Sequence, residues 1–404
     1  MTKPFRLTTL LLVISVFIFT SCNQDPASVP DKLIPDEDKV EFNKFDTYEL
    51  NVKQSSSYYE ELENLYGADT RILGKNDYAK SSILFSWDFY LPDSIKTYIN
   101  NGQITILSSE VSMTRKYKLG DTTGFFDFTV HKIISEWDVA KLHRDTLQYI
   151  NRDANDIASN KIKTDSTVTF DINKNVVYDW LRYTADSNST DKNNGIYITP
   201  TNSTNYFVGF EATYAYGTYE QTQIMIVLQK PTEIDTLVGY PSRDLHVVEK
   251  LQPKPVSEDR IYLEGGYALR GTVFFDLSSL PKEIAISKAT IELTIDTQSS
   301  VDGIPASDSL FVHILKDSTK KTLADSSSIL LLTRKGNKFT GDISGIVQAW
   351  NSELLIDGKK LENQGINLTL FDEYSSVARI VLYGSKEQNA LLRPRLTIYY
   401  PKKI

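Results

Sequence analysis

The feature that most constrains this chain is a stretch of sequence that occurs twice. Residues 71–92 (RILGKNDYAKSSILFSWDFYLP) and 260–281 (RIYLEGGYALRGTVFFDLSSLP) align without a gap, and Arg71 and Arg260 are one of several identical pairs. Matching chemistry at a fixed offset is the signature of an internal repeat. The alignment therefore predicts two copies of one structural unit.

Further landmarks recur in the same order. Residues 168–181 and 339–352 each hold a β-type run, an aspartate and an apolar stretch with a tryptophan, Trp180 or Trp350. Each copy continues with a polar loop that ends in glycine, an alternating segment and a final strand, at 193–199 and 223–230 in the first copy and at 363–369 and 393–402 in the second. Two tandem copies account for this order.

The repeat predicts how the chain divides. We expect a first domain over 44–232 and a second over 233–404, which fold separately and meet near 231–237, where Pro231 and polar residues follow a strand. Residues 23–43 hold three prolines, several acids and few apolar side chains. Such a composition cannot build a core, so it predicts a flexible linker before the first domain.

Within each copy the periodicity is that of β-strands. Segments such as 290–296, 310–315 and 366–372 alternate or run apolar, are rich in β-branched and aromatic residues, and are separated by turn residues. Helical spacing is confined to short stretches, among them 172–183 and 343–354. This pattern predicts an all-β protein of two tandem antiparallel β-sandwiches, jelly-roll-like, each with a short helix.

The first 22 residues have the composition of an export signal. Lys3 and Arg6 precede an uncharged apolar run over 7–19, which is too short to span a bilayer comfortably. Small residues directly precede Cys22, and this arrangement resembles a bacterial lipobox, whose cysteine is diacylated. We therefore expect a lipid anchor at Cys22, with the membrane as partner, and a location at the outer membrane or cell surface. An ordinary signal peptide with an incidental cysteine and an N-terminal membrane anchor are the alternatives.

Composition excludes several classes of protein. Cys22 is the only cysteine, so the chain has no intramolecular disulfide, no zinc or iron–sulfur site held by several cysteines and, once the cysteine is acylated, no thiol nucleophile. The formal net charge is −8, and no basic stripe is present to neutralise phosphates. We therefore expect no nucleic-acid partner.

Motifs for catalysis and metal binding are missing from the sequence. The histidines (His131, His143, His246 and His313) are scattered and never stand at metal-ligand spacing. No nucleophile elbow and no phosphate-binding loop occurs. The Asp- and Asn-rich loops at 153–159 and 186–195 hold oxygen ligands without the spacing of an EF-hand. We expect no enzyme, no cofactor and no metal site, and a structural Ca²⁺ ion stays open.

The motifs of the second copy resemble those of the DNRLRE-type domain. They are a Phe-Asp-Leu-Ser strand and turn at 275–278, a short helix with tryptophan in DISGIVQAW (342–350), and a closing Pro-Arg-Leu strand at 394–396. Copy two matches over nearly its whole length, and copy one matches more weakly. The resemblance implies a bacterial surface β-sandwich from a family that includes carbohydrate-binding modules and surface scaffolds.

Aromatic residues are concentrated in YFVGFEATYAYGTY (206–219). Alternate strand positions point to opposite faces, so these rings cannot all enter one core. Flat rings at a surface can stack on sugars, and the candidates for glycan binding are Tyr206, Phe210, Tyr214 and Tyr216. Cross-strand aromatic packing is the alternative. The tryptophans are expected to be buried, and Asp88 and Asp276 are expected to hold turns by accepting backbone N–H groups.

Three classes of function remain at this point. The first is a non-catalytic lipoprotein of the cell surface that binds an extracellular polysaccharide. The second is a structural or adhesion protein that contacts other proteins. The third, which the sequence favours least, is a polysaccharide-degrading enzyme, since that activity needs a cleft with convergent carboxylates.

Overall fold

The computed structural model describes residues 41–402, apart from 121, 187, 191, 213–221, 254, 325–328, 353–354 and 357–358. Cys22, the export signal and most of the predicted linker lie outside these residues. Strands account for 47% of the structure and helices for 10%, which confirms the predicted all-β class. The strands form two large antiparallel sheets.

The first sheet folds over on itself into a sandwich, which we call the first sandwich. Its long strand β5 pairs with β8 and β11 through its first part and with β10 through its last, so it belongs to both layers. Leu73 and Phe85 from one layer meet Val111 and Val168 from the other in a shared core. Its strands are β3 (Thr70–Lys75), β4 (Ala79–Trp87), β5 (Thr105–Gly120), β6 (Phe128–Lys132), β7 (Ala158–Lys163), β8 (Thr167–Ile172), β9 (Ile196–Pro200), β10 (Tyr206–Glu211), β11 (Gln223–Gln229), β12 (Ile234–Gly239) and β13 (Pro241–Lys250), with the short β17 (Gly303–Ile304) on β5.

The second sheet encloses a core of its own, which includes Val273, Ile291, Leu310 and Ile398, and we call this unit the second sandwich. Its strands are β1 (Phe42–Asp46), β2 (Gln54–Glu60), β14 (Arg260–Glu264), β15 (Leu269–Phe275), β16 (Lys288–Thr294), β18 (Ser309–Asp317), β19 (Thr322–Leu323), β20 (Leu330–Lys335), β21 (Lys338–Asp342), β24 (Ile366–Leu370), β25 (Arg379–Tyr383) and β26 (Arg395–Pro401). The strands β22 (Leu355–Ile356) and β23 (Lys359–Lys360) form a separate small hairpin.

Short helices lie against both cores. They are α1 (Asp93–Asn100), α2 (Lys174–Ala185) and α3 (Ser344–Asn351), with 3-10 turns at Leu147–Tyr149 and Ala390–Leu392. The side chain of Asn173 caps α2 by accepting the N–H of Asn175. Trp180 on α2 is fully buried and its ring centroid lies 6.1 Å from that of Trp87. Trp350 on α3 is also buried, so both helices are anchored by tryptophan as predicted.

Sheet membership does not follow the predicted division of the chain. The strands β1 and β2, at the start of the first copy, pair with β26 and β15 of the second sandwich. The strands β12 and β13, at the start of the second copy, pair with β11 and β4 of the first sandwich. The division at 232/233 therefore separates strands that share a sheet. Each copy donates its first two strands to the other copy.

The two donated pairs are equivalent in register. Glu60 of β2 lies opposite Leu269, and Glu249 of β13 lies opposite Lys80. The differences 249 minus 60 and 269 minus 80 are both 189, which is also the offset of the sequence repeat (260 minus 71). The two copies therefore exchange strands reciprocally, and β2 pairs with β15 in the same register in which β13 pairs with β4. We call β1 and β2 the closing pair of the second sandwich.

A third apolar cluster joins the sandwiches. It holds Leu84 and Phe207 from the first sheet together with Leu269 and Val377 from the second. The hydroxyl groups of Tyr117 and Ser376 lie 3.1 Å apart across this contact. The two copies therefore have separate cores and a shared apolar interface, which differs from the predicted separate folding units.

Candidate functional site

The aromatic stretch chosen from the sequence does not form a surface where the structure describes it. Tyr206 and Phe210 are 7% and 0% exposed. Their strand, β10, is central, with β3 on one side and β5 on the other. The alternation is as predicted, because Phe210 faces the core of the first sandwich while Phe207 faces the shared interface. Burial of both faces contradicts a glycan platform at these two rings. Tyr214 and Tyr216 lie outside the described residues.

A better candidate is a cavity of about 480 Å³ on the outer face of the second sandwich. Its floor is made by side chains of β15, β18 and β24 that point away from the core, and the segment between β2 and β3 forms one wall. We call it the aromatic cleft. Its lining includes Glu63, Gly67, Asp69, Arg270, Phe311, His313, Asn367, Thr369, Phe371, Glu373 and Tyr374.

Strand alternation explains why these side chains share a face. On β18, Leu310 and Val312 enter the core, so Phe311 between them must point outward. On β24, Leu368 and Leu370 enter the core in the same way, and Thr369 points into the cleft. The local sequence therefore places alternate positions of two neighbouring strands at one surface.

The aromatic rings occupy one part of the cleft. Phe311 and Phe371 are 5.0 Å apart between ring centroids, and the Phe371 side chain is 56% exposed. His313 lies edge-on to Phe311, with 6.4 Å between ring centroids. Burial followed by the charge of Arg270 lowers the pKa of His313, so its imidazole is neutral at pH 7.

Charged groups form the opposite part of the cleft and hold one another in place. Arg270 Nη2 lies 2.6 Å from Glu63 Oε1 and 2.7 Å from Glu373 Oε2, and its Nε donates to Glu373 Oε1 at 3.0 Å. Burial lowers the pKa of Arg270, but hydrogen bonds to the two carboxylates outweigh it, so the pKa is raised. The guanidinium stays charged and fixes both carboxylates.

Asn367 on β24 carries a side-chain amide that is held in place by the neighbouring strand β2. The Tyr59 hydroxyl of β2 donates to Oδ1 of Asn367 at 2.9 Å. This bond fixes the orientation of the Asn367 amide, which is buried at the floor of the cleft. The cleft thus combines apolar rings with amide, hydroxyl and imidazole groups in fixed positions.

Other features singled out in the sequence have structural roles. Asp276 Oδ1 accepts the N–H of Ser278 at 3.0 Å, which confirms the predicted turn. In the two loops considered for Ca²⁺, Asp153 and Asp186 accept backbone N–H groups two residues on, at 3.0 Å each. Among the described residues no group of three or more metal-ligating side chains is present.

Two smaller or more open cavities have less to offer an aromatic-binding ligand. One of about 270 Å³ lies where Asp276 and Trp350 approach each other, and its tryptophan is buried. Another, of about 550 Å³, lies beside Arg115 and Lys163 and reaches the buried Tyr206. Neither of these two cavities places an exposed ring beside oriented polar groups, as the aromatic cleft does with Phe371.

Sequence reasoning missed Phe311, Phe371 and Tyr374. A signal was present for the first two, because Phe311 stands out of phase with the inward residues of 310–315, and Phe371 does so in 366–372. Tyr374 lies in a turn after β24, and no periodicity predicts its position.

Comparisons with known proteins add little. No protein-family model matches the chain and no curated protein is similar to it. Among solved structures, the chain is similar to the C-terminal domain of the AgI/II polypeptide BspA from Streptococcus agalactiae, with 9% identity, coverage of 86% of this chain and 91% of that chain, and a TM-score of 0.17. It is also similar to the C-terminal domain of the Streptococcus pyogenes antigen I/II-family protein AspA, with 8% identity, coverage of 87% and 92%, and a TM-score of 0.16.

TM-scores this low support no conclusion about the function of the chain. Between residues 41 and 402, where the structure describes the chain, no helix is long and apolar enough to cross a membrane.

Proposed function

We propose that this protein binds an extracellular glycan through the aromatic cleft and does not cleave it. The observation that carries the proposal is the exposed ring of Phe371 beside Phe311, on a face that also presents fixed polar groups. Sugar rings have apolar C–H faces that stack on aromatic side chains, and their hydroxyls need a few oriented partners. The cleft supplies both kinds of group.

Each part of a sugar has a partner in this arrangement. The Phe371 ring offers a stacking surface, and Tyr374, which is 37% exposed and lines the same cleft, carries a hydroxyl group that can donate or accept a hydrogen bond. Neutral His313 can accept or donate one further hydrogen bond. Side chains that are already held in place lose less conformational entropy when a ligand binds.

The state of the carboxylates supports binding without cleavage. Glycoside hydrolysis uses two carboxyl groups, one of which must hold or take up a proton. In the cleft, Glu63 and Glu373 both accept hydrogen bonds from the same guanidinium, that of Arg270. This arrangement suits a structural ion pair that shapes the site.

The proposed location follows from the same reading of the sequence. A lipid on Cys22 would hold the protein at the outer membrane or cell surface, and residues 23–43 would act as a spacer. The first described strand, β1, begins at Phe42, so the last two residues of the predicted spacer belong to a strand. A tether of this kind lets the cleft reach a polysaccharide outside the membrane.

The test compares two phenylalanines with matched exposure. Phe371 is 56% exposed in the cleft, and Phe125 is 55% exposed on the first sandwich. We expect Phe371→Ala to abolish retention on a glycan array or polysaccharide column, and Phe125→Ala to retain it, with unchanged melting temperatures. A wild-type protein that binds no glycan would favour the structural or adhesion alternative. Release of shorter oligosaccharides on incubation would favour an enzyme.

A further inference from the structure

The closing pair of the second sandwich is held only by strands that are distant in sequence. Ser57 contacts Thr272 through their hydroxyl oxygens at 2.7 Å, at a sequence separation of 215. Asp46 accepts two hydrogen bonds from Arg395, at 2.6 and 3.3 Å, at a sequence separation of 349. Phe45 is 3% exposed and belongs to the core of the second sandwich. The strands β1 and β2 belong to the first copy by sequence, but they complete the core of the second sandwich.

Each acceptor edge is covered by a strand of the other copy. In the first sandwich the equivalent edge of β4 is covered by β13, which comes from the following copy. In the second sandwich the edge of β15 is covered by β2, which comes from the preceding copy, in the same register. Backbone bonds continue beyond the strand ends, where Glu61 N donates to Ala268 O and Leu251 N donates to Tyr78 O, both at 2.9 Å.

The edges of β4 and β15 therefore recognise the same features of a strand. Backbone hydrogen bonds and the alternation of side chains define the fit, and an incoming strand meets both requirements whichever chain supplies it. A β-edge without its partner presents a row of unpaired N–H and C=O groups that pairs readily with another strand.

We propose that the edges of β15 and β26 form an interaction surface whose partner is the closing pair of a second copy of this chain. Two chains then exchange residues 41–60 reciprocally and form a two-fold symmetric dimer. All contacts of the closing pair are retained in the dimer, so only the segment that joins β2 to β3 has to change its path.

The joining segment changes its attachment from one sandwich to the other within two residues. Glu63 binds Arg270 of the second sandwich, whereas the side-chain amide of Asn64 donates to the carbonyls of Val139 and Leu142 in the first, at 2.8 and 2.6 Å. The segment then returns to the second sandwich, where the N–H of Asp69 donates to the hydroxyl of Ser375 at 3.0 Å, so the stretch that has to change its path lies between residues 63 and 69. In the exchanged dimer, Tyr59 and Glu63 of one chain complete the aromatic cleft of the other.

The experiment uses cysteines placed across the exchanged contact, in the chain that carries Cys22→Ser. One variant has Ser57→Cys and the other has Thr272→Cys, at directly opposed positions. The two are unfolded together, refolded over a range of protein concentrations up to about the millimolar effective concentration of a tethered segment, and oxidised. A disulfide between the variants can form only when the closing pair of one chain occupies the second sandwich of the other.

The matched control is a directly opposed pair of partly exposed residues in the first sandwich. Lys80 and Glu249 are opposed in the same register, and β13 is connected to further strands on both sides. We expect a disulfide-linked heterodimer from Ser57→Cys with Thr272→Cys that increases with concentration, and at least tenfold less from Lys80→Cys with Glu249→Cys.

Three results would overturn the proposal. The first is no heterodimer at any concentration, while a single chain with both Ser57→Cys and Thr272→Cys forms its internal disulfide. The second is equal heterodimer from the test and control pairs, which would indicate random association. If the internal disulfide also fails to form, light scattering of the unaltered chain decides, because a monomer at every concentration after refolding excludes the exchanged dimer.

Discussion

The outer faces of the two sandwiches differ, although they are built from equivalent strands. In the first sandwich, β9 carries Tyr197 opposite His131, and in the second, β24 carries Asn367 opposite His313. Tyr197 is 1% exposed and lies against Arg152, whose guanidinium is 4.1 Å from its ring centroid. Asn367 is also 1% exposed, but Phe371, which follows β24, is 56% exposed in the aromatic cleft. The second copy therefore leaves uncovered a part of the outer face.

The cause is a longer connection in the first copy. Residues 133–157, between β6 and β7, fold over the outer face, and Trp137, Leu142 and Leu147 join the apolar cluster that covers it. In the second copy no described connection of that length follows β18 over the face. A repeated scaffold can therefore hold a binding site in one copy and an interface in the other, and a single connection decides which.

The largest effect expected is that of removing the closing pair. A chain that begins at residue 62 leaves the edges of β15 and β26 unpaired and removes Phe45 from the core. The loss should exceed the stability of one domain, which is about 5–15 kcal/mol. Limited proteolysis should then cleave within 260–401 before it cleaves within 70–250. Equal protection of both regions would show that the second sandwich does not need the closing pair. The segment 233–404 expressed alone has the same defect and should not be a stable monomer.

The two helix tryptophans test the cores separately. Trp180 is fully buried against Trp87, whereas Trp350 borders a cavity and is 7% exposed. Truncation of a buried tryptophan costs roughly 3–5 kcal/mol. Trp180→Ala should therefore destabilise the protein by an amount near the upper end of this range, and Trp350→Ala by an amount near the lower end, in urea denaturation. A larger loss for Trp350→Ala would contradict the assignment of the tighter core to the first sandwich.

Mild acid should weaken the first sandwich before the second. His246 on β13 is completely buried, and burial followed by the charge of Arg71 lowers its pKa well below the ordinary value of 6.5. The unfolded chain then binds a proton that the folded chain does not, so stability is complete above pH 6.5 and falls as the pH decreases, by about 1.4 kcal/mol per pH unit.

Denaturation curves between pH 7 and 5 check this expectation. A His246→Leu variant that folds should lose most of the pH dependence, while His313→Leu should change it less, because His313 is only partly buried. A pH dependence unaffected by His246→Leu would show that another group titrates.

The smallest effect concerns an exposed ion pair between the copies. Lys80 Nζ and Glu249 Oε2 are 3.2 Å apart, with side chains 26% and 38% exposed. Pairs of this kind contribute about 0–1 kcal/mol. Lys80→Ala should therefore change the free energy of unfolding by less than about 1 kcal/mol, whereas Asp244→Ala, which removes the partner of the fully buried Arg71, should cost roughly 3–5 kcal/mol. Similar losses for both variants would contradict this ranking.

Much of the local structure follows from the sequence alone. Period-two alternation and β-branched residues define the strands, and Trp180 and Trp350 lie on the apolar side of their helices, so their burial is a local property. The turn held by Asp276 depends on residues two positions apart. The repeat was visible because equivalent strands need equivalent patterns.

Only the tertiary structure decided which edges and faces are covered. The alternation in β10 places Tyr206 and Phe210 on one face, but it does not say that a core covers that face and an interface covers the other. The backbone of β2 does not distinguish the edge of β15 from that of β4, because backbone hydrogen bonds along a strand edge do not depend on side-chain identity. Strand pairing joins residues far apart in the chain, so its choice depends on the packing of the whole molecule.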